Sequence, residues 1–238
     1  MEAHAVRLDK YLSNMGLGSR KDARGIIGSG VVTVDGHVVR AADAKIQEGV
    51  SNVQVNGQNI AYKPFVYLML YKPAGYLSAT EDGRGGPVAT DLIGDDFNFY
   101  NLGPAGRLDK DAEGFLLLTN DGPFVHRIIT PEQHVEKQYF VRLRTSITSE
   151  DQEAFQAGIQ FKDGTLCRPA KLEAGAEPNT AFVTIHEGKF HQVKKMFLAR
   201  NNEVVYLKRI SIGGVPLDET LQPGAYRELT QEEMERLL

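Results

Sequence analysis

The chain has 238 residues, 42% hydrophobic and 24% charged, a balance ordinary for a globular protein with a sizeable core. Its single cysteine, Cys167, excludes a disulfide framework and a cysteine-based zinc site. No apolar run approaches the roughly 20 residues of a membrane helix, and the opening MEAHAVRLDK lacks the apolar core of a secretory signal, so a soluble cytoplasmic protein with no membrane partner is expected.

The net charge of −4 argues weakly against a nucleic-acid binder, but distribution matters more than the sum. Residues 1–60 carry seven Lys or Arg against six Asp or Glu. Five of those cations, Arg7, Lys10, Arg20, Lys21 and Arg24, fall within the first 24 residues. The same stretch reads as one folded unit. Leu8, Leu12 and Met15 recur at helical spacing, and Gly16 ends that helix. Ser19 is suited to cap a second helix, RKDARGIIGSG, closed by Gly28 and Gly30. VVTVDGHVV and NVQVNGQNI then place β-branched residues around DG and NG, the strongest short hairpin signal. The prediction is helix, helix, small sheet. The five cations lie on or beside the helices, where they either grip phosphates or form a solvated face.

VRLDKYLSNMGLGSRKDARGIIGSGVVTVDGHVV resembles the small RNA-binding domain named after ribosomal protein S-four, which reads R-L-D, then S-R, then V-x-V-[ND]-G. The matches are Arg7-Leu8-Asp9, Ser19-Arg20 and Val32-Thr33-Val34-Asp35-Gly36. The resemblance implies that Arg7, Arg20, Lys21 and Arg24, with Lys10 beside them, contact structured RNA.

Residues 61–65 read as a linker broken by Pro64, and residues 66–238 as a second domain. VYLMLYKP predicts a strand, and EDGRGGP an exposed loop whose single RGG is a weak nucleic-acid signal. Strands follow in GFLLLTND and EKQYFVRLR, with NDG as a tight polar turn. A helix lies in SEDQEAFQAGI, strands in KLEAG and AFVTIHEG, a helix in HQVKKMFLAR and strands near VVYLKRISIG. The fold class is therefore α+β: a small helix-helix-sheet domain, then a larger domain with a mostly antiparallel mixed sheet.

The six histidines never pair at i, i+4, and no HExxH occurs, so no metal site is expected. Gly-rich phosphate cradles are missing, so no nucleotide cofactor is expected, and there is no serine nucleophile elbow. What remains is GRLDKDAEGFLLLTNDG, residues 106–122, which sets Asp109 directly before a block bound for the core. A charge there is costly without a partner. Asp109 either caps a turn beside Arg107 or is a carboxylate held at a site. Tyr139 reads as a strand tyrosine with its ring in the core. Lys194 either lies on the solvated edge of an amphipathic helix, with Val193, Met196 and Phe197 inward, or points into a cleft.

The same segment resembles the G-R-L-D-x-x-T-x-G-L-L-L-[LF]-T-[ND]-D-G signature of the pseudouridine synthases that modify ribosomal RNA, with Ala112 where Thr is usual. EKQYFVRL resembles their E-K-x-Y-x-V strand, and EGKFHQVKKMF their E-G-[RK]-x-H-Q-V-[KR]-[KR]-M-F helix. YKPAGY resembles N-K-P-x-G, with Tyr71 departing from Asn, and the C-terminal run follows L-x-R-x-x-I-G…L-x-x-G-x-[YW]-R-x-L. The resemblance implies Asp109 as the catalytic carboxylate, Tyr139 against the target base and Lys194 as the paired cation. It further implies Leu207 near the base, Arg107 bracing the gap in the RNA, and substrate-binding roles for Lys72, His191 and Gln192. No cofactor is implied, because the isomerisation neither adds nor removes atoms. His191-Gln192-Val193-Lys194 with Met196-Phe197 is similar to the enzymes of the RsuA group, acting on small-subunit (16S) rRNA; the large-subunit relatives tend to write N-R-E-V-R-R-x-W. The implied partner is 16S rRNA or a small-subunit assembly intermediate, and the chain is expected to be a monomer. The alternatives are the same chemistry on 23S rRNA, and a non-catalytic assembly factor.

Overall fold

The computed structural model describes residues 5–60, 63–94, 97 and 100–237; Ala61 and Tyr62 of the expected linker lie outside these. Two compact units emerge. One comprises Met1–Val66 with Ile93–Leu102, the other Tyr67–Leu92 with Gly103–Leu238. The segment Ile93–Leu102 thus groups with the first unit, although it sits in the middle of the span read as the second domain.

The first unit runs β1 (Ala5–Arg7), α1 (Leu8–Asn14), α2 (Arg20–Ser29), β2 (Val32–Val34), β3 (His37–Val38), β4 (Lys45–Gln47), β5 (Val53–Val55) and β6 (Gln58–Asn59). Strands β3-β2-β5-β6 form an antiparallel sheet, and β1 pairs with β4. That second pair is absent from the sequence reading, because two three-residue strands carry no usable period. Both two-residue hairpin turns have positive φ at both positions: 50° and 82° at Asp35-Gly36, 52° and 78° at Asn56-Gly57. This matches the right-handed twist of the flanking strands. Ser19 caps α2 in a reciprocal box with Asp22, and the helix passes through Gly28 to end before Gly30 in the left-handed region. Leu8, Tyr11, Leu12, Ile27, Val32 and Val53 form the core.

The second unit runs β7 (Tyr67–Lys72), β8 (Gly103–Pro104), β9 (Glu113–Thr119), α3 (Gly122–Ile129), β10 (Lys137–Leu143), α4 (Ser149–Ala157), β11 (Lys171–Ala174), β12 (Thr180–Ile185), α5 (Gln192–Ala199), β13 (Val204–Ile212), β14 (Val215–Pro216), β15 (Tyr226–Glu228) and α6 (Gln231–Arg236). The sheet order is β11-β12-β10-β13-β9-β7-β15, with β14 on β13 and β8 on β9. Every pairing in it is antiparallel except β9 with β13. The block Phe115–Leu118 in β9 has no exposure, as a strand flanked on both edges and covered on both faces requires. Gly114 makes the parallel junction possible: its φ is 108°, and a Cβ there would meet the Arg209 carbonyl oxygen at 2.2 Å. The NDG stretch, read as a tight polar turn, leads directly into a helix. Asp121 caps α3, accepting from the Phe124 N–H at 3.0 Å.

Candidate active site

Asp109 sits on the loop between β8 and β9, and that loop is pinned on both sides of it. Ser78 Oγ donates to the Leu108 carbonyl at 2.8 Å and accepts from the Leu108 N–H at 3.0 Å. On the other side, Lys72 Nζ donates to the carbonyls of Ala112 at 2.8 Å, Pro73 at 3.0 Å and Lys110 at 3.3 Å. Gly75 N–H adds a bond to the Lys110 carbonyl at 2.7 Å. The loop is therefore anchored at residues 108, 110 and 112, and the Asp109 side chain emerges between anchors, one-fifth exposed.

The Lys72 ammonium, given a substrate-binding role by the resemblance, is placed against these backbone carbonyls. It is fully buried, and burial, partly offset by nearby carboxylates, pulls its pKa down to about 8. Ala112 is also fully buried, and its backbone carbonyl rather than a hydroxyl provides the brace at this position.

Helix α5 supplies the cations. Lys194 Nζ lies 3.2 Å from Asp109 Oδ2 and 2.5 Å from Asp111 Oδ1. Burial lowers the lysine pKa, but the carboxylates of Asp111 and Asp109 outweigh it and hold the ammonium above its ordinary value. Asp111, in turn, is held below the usual carboxylate range by the Lys194 hydrogen bond. His191 Nε2 is 3.8 Å from Asp109 Oδ1. Gln192, its neighbour, points elsewhere. It is 4% exposed, donates to Glu187 Oε1 at 2.9 Å and accepts from the Lys189 N–H at 2.8 Å. Gln192 thus closes the turn before α5 through Glu187, which also accepts from the Arg168 N–H and pairs with Lys189. The resemblance gives Gln192 a substrate-binding role; the structure places its amide in this buried network.

Tyr139 and Leu207 come from paired strands β10 and β13 and share a face with Arg209, since Tyr139 pairs with Arg209 and Val141 with Leu207. Tyr139 is 6% exposed and Leu207 5%. Beneath them lies Arg209, which the sequence reading did not single out. It donates to the Phe115 carbonyl at 2.7 Å and the Arg107 carbonyl at 3.3 Å, and its Nη1 is 3.5 Å from Tyr139 Oη. Its Nη2 is buried with no hydrogen-bond partner among the described residues. Arg209 therefore ties the Asp109 loop to Tyr139. Arg107 itself projects outward at the head of the loop. Tyr71 packs under Lys208, whose Nζ is 4.4 Å from the ring centroid.

The first unit carries a separate cationic cluster. Asp9 has no exposure and receives Arg7 at 3.1 Å, Arg20 at 3.2 Å and Arg24 at 3.0 Å. The Arg7 hydrogen bond, followed by those of Arg24 and Arg20, holds its carboxyl well below the ordinary range against the opposing effect of burial. Three guanidiniums against one carboxylate leave +2 on a patch where each arginine keeps about half its exposure. Lys10 and Lys21 are exposed outside this cluster. The missed signal was the Asp-x-Asp spacing at 109 and 111; that Asp9 also collects Arg20 and Arg24, 11 and 15 positions further on, has no local signal.

The chain matches two known families. Residues 66–199 match the RNA pseudouridylate synthase family and residues 6–50 the S4 domain. The chain belongs to the RNA pseudouridylate synthase family, with an S4 domain at its N-terminal end. It is 46% identical over 98% of both chains to an uncharacterized RNA pseudouridine synthase of Bacillus subtilis. It is 44% identical to the ribosomal small subunit pseudouridine synthase A of Vibrio parahaemolyticus and 41% to that of Escherichia coli, covering 97% and 96% of this chain and 98% of each relative. A crystal structure of a pseudouridylate synthase superposes with a TM-score of 0.68 at 35% identity, covering 98% of this chain and all of the other.

Proposed function

We propose that this enzyme isomerises a specific uridine of small-subunit (16S) rRNA to pseudouridine, with Asp109 as the acting carboxylate. The observation that carries the reading is the pairing of Asp109 with Lys194 on a loop anchored at residues 108, 110 and 112. The reaction breaks the bond between ribose C1′ and uracil N1, turns the base and joins C1′ to C5. The C5 proton is lost and N1 gains one, so atoms balance without a co-reactant. An ionised carboxylate beside the sugar serves either by attacking the ribose or by taking a proton from it. Lys194 Nζ, 3.2 Å from Asp109 Oδ2, sets a positive charge directly beside that carboxylate.

The uridine must leave its stack to reach the carboxylate, at a cost of a few kcal/mol. In this reading Tyr139 and Leu207 border the extruded base, and Arg107 occupies the gap in the RNA. The Asp9-centred arginines, with Lys10 and Lys21, hold phosphates of structured RNA. The names and near-complete coverage of the small-subunit relatives support 16S rRNA, free or in an assembly intermediate, as the substrate.

The test is to incubate the enzyme with 16S transcripts, 23S transcripts and small-subunit assembly intermediates, then map pseudouridine by sequencing. Formation at one uridine of 16S rRNA, free or assembling, is the expected result. Formation only in 23S rRNA overturns the substrate, and no formation in any of them overturns the activity.

A further inference from the structure

Phe190 is 67% exposed, directly before helix α5. Lone exposed apolar side chains are common and need no explanation. This ring, however, is held in place. Its centroid is 3.9 Å from that of His191, with 19° between the planes. His191 has a φ of 53°, in the left-handed region that non-glycine residues seldom occupy. Lys195 Nζ lies 5.3 Å from the Phe190 centroid and 5.4 Å from that of Phe161. Moving outward from the carboxylate of Asp109, the surface presents an imidazole at 3.8 Å, then a phenyl ring, then an ammonium.

We propose that Phe190 is a stacking platform for the base that flanks the reacting uridine, with Lys195 taking an adjoining phosphate. This rests on the function proposed above. Extruding a uridine strips its neighbour of a stacking partner. An exposed ring beside a cation is the arrangement that single-stranded nucleic acid uses, because every base has a π-face and each linkage a charge. Stacking is tolerant of base identity, so Phe190 contributes chiefly to affinity and position, while the chemistry stays with Asp109.

The experiment uses the full chain and a 16S rRNA fragment containing the target uridine, with 2-aminopurine placed in turn on its 5′ and 3′ sides. Wild type should quench the fluorescence of one of the two labelled RNAs on binding. Phe190→Ala and Phe190→Leu should abolish that quenching and raise KM about tenfold, leaving kcat within about threefold. Phe190→Trp should restore both. Lys195→Met should flatten the log–log salt slope of binding by about 0.7, the single-strand increment per phosphate. Unchanged quenching and KM in Phe190→Ala overturn the proposal, as does full rescue by Phe190→Leu, which would mean contact without stacking. Absence of turnover by wild type refutes the function reading instead, and the quenching still reports on Phe190 because it needs binding alone. Melting curves of each variant guard against unfolding.

Discussion

The ammonium of Lys72 and the carbonyl of Ala112 meet at 2.8 Å in a position with no solvent exposure. With the bonds to Pro73 and Lys110, this one side chain fixes the far side of the loop that carries Asp109. Lys72→Met should therefore lower kcat about 100-fold through misplacement of the carboxylate, with RNA affinity retained. Single-turnover rates and binding isotherms on the same variant check this. The lysine also leaves a mark on stability. Its pKa falls from 10.5 unfolded to about 8 folded, so the unfolded chain holds the extra proton between those values. Stability from this group rises with pH across that window, and Lys72→Met should lack the rise in denaturant titrations at stepped pH.

Asp109→Asn keeps the shape of the side chain and removes its charge. Pseudouridine formation should fall to background, while affinity for 16S rRNA stays within about threefold. Yield and affinity must be measured together. Substantial residual turnover would remove Asp109 from the mechanism.

Lys194 and Lys195 are neighbours that leave the helix about 100° apart. Lys194 faces two carboxylates, and Lys195 lies over the rings of Phe161 and Phe190. Lys194→Met should cost about 100-fold in kcat, and Lys195→Met should act mainly on binding. Asp111→Asn should cost no more than about fivefold, because Asp111 is 77% exposed and its pair is screened. The lowered pKa of Asp111 makes its contribution complete above 3.8, and the raised pKa of Lys194 keeps its own complete below 10.5. The Lys194→Met deficit should therefore be flat from about pH 6 to about pH 9. A steep slope in that range would mean that another group governs the loss.

Asp9→Asn leaves three arginines without their shared carboxylate. The first unit should melt about 5 °C lower at neutral pH. The folded carboxyl titrates below its ordinary 3.8, so its contribution is present above that value and is lost as pH falls further. The gap between wild type and variant should hold down to about pH 4 and then close. Arg20→Ala should instead flatten the salt slope of RNA binding by about 0.9 for a duplex phosphate contact. A slope identical to wild type would show that this arginine only neutralises Asp9.

Helices α1, α2, α4 and α5, the two hairpins and the long strands were legible in the sequence because each carries its own local signal, a 3.6 period, a cap, a DG or NG dipeptide or an apolar run; helices α3 and α6 were not read. Asp109 and Lys194 were legible as members of motifs lying 85 positions apart. That they meet was not, since no period or turn signal in either segment refers to the other. The pairing follows from β9 lying parallel to β13, which Gly114 permits, and from α5 packing beside them. The same limit explains Lys72, Gln192 and Arg209. A motif reports that a polar residue is required, and only the packed chain decides whether it faces the cleft or satisfies buried carbonyls behind it. A buried ammonium or amide must find partners wherever the fold offers them. By itself the sequence determined most of the longer elements, the two-part order of the chain and the residue types of the site. Tertiary structure decided which charges face one another, because a contact across a sheet is set by register and close packing, which local sequence does not encode.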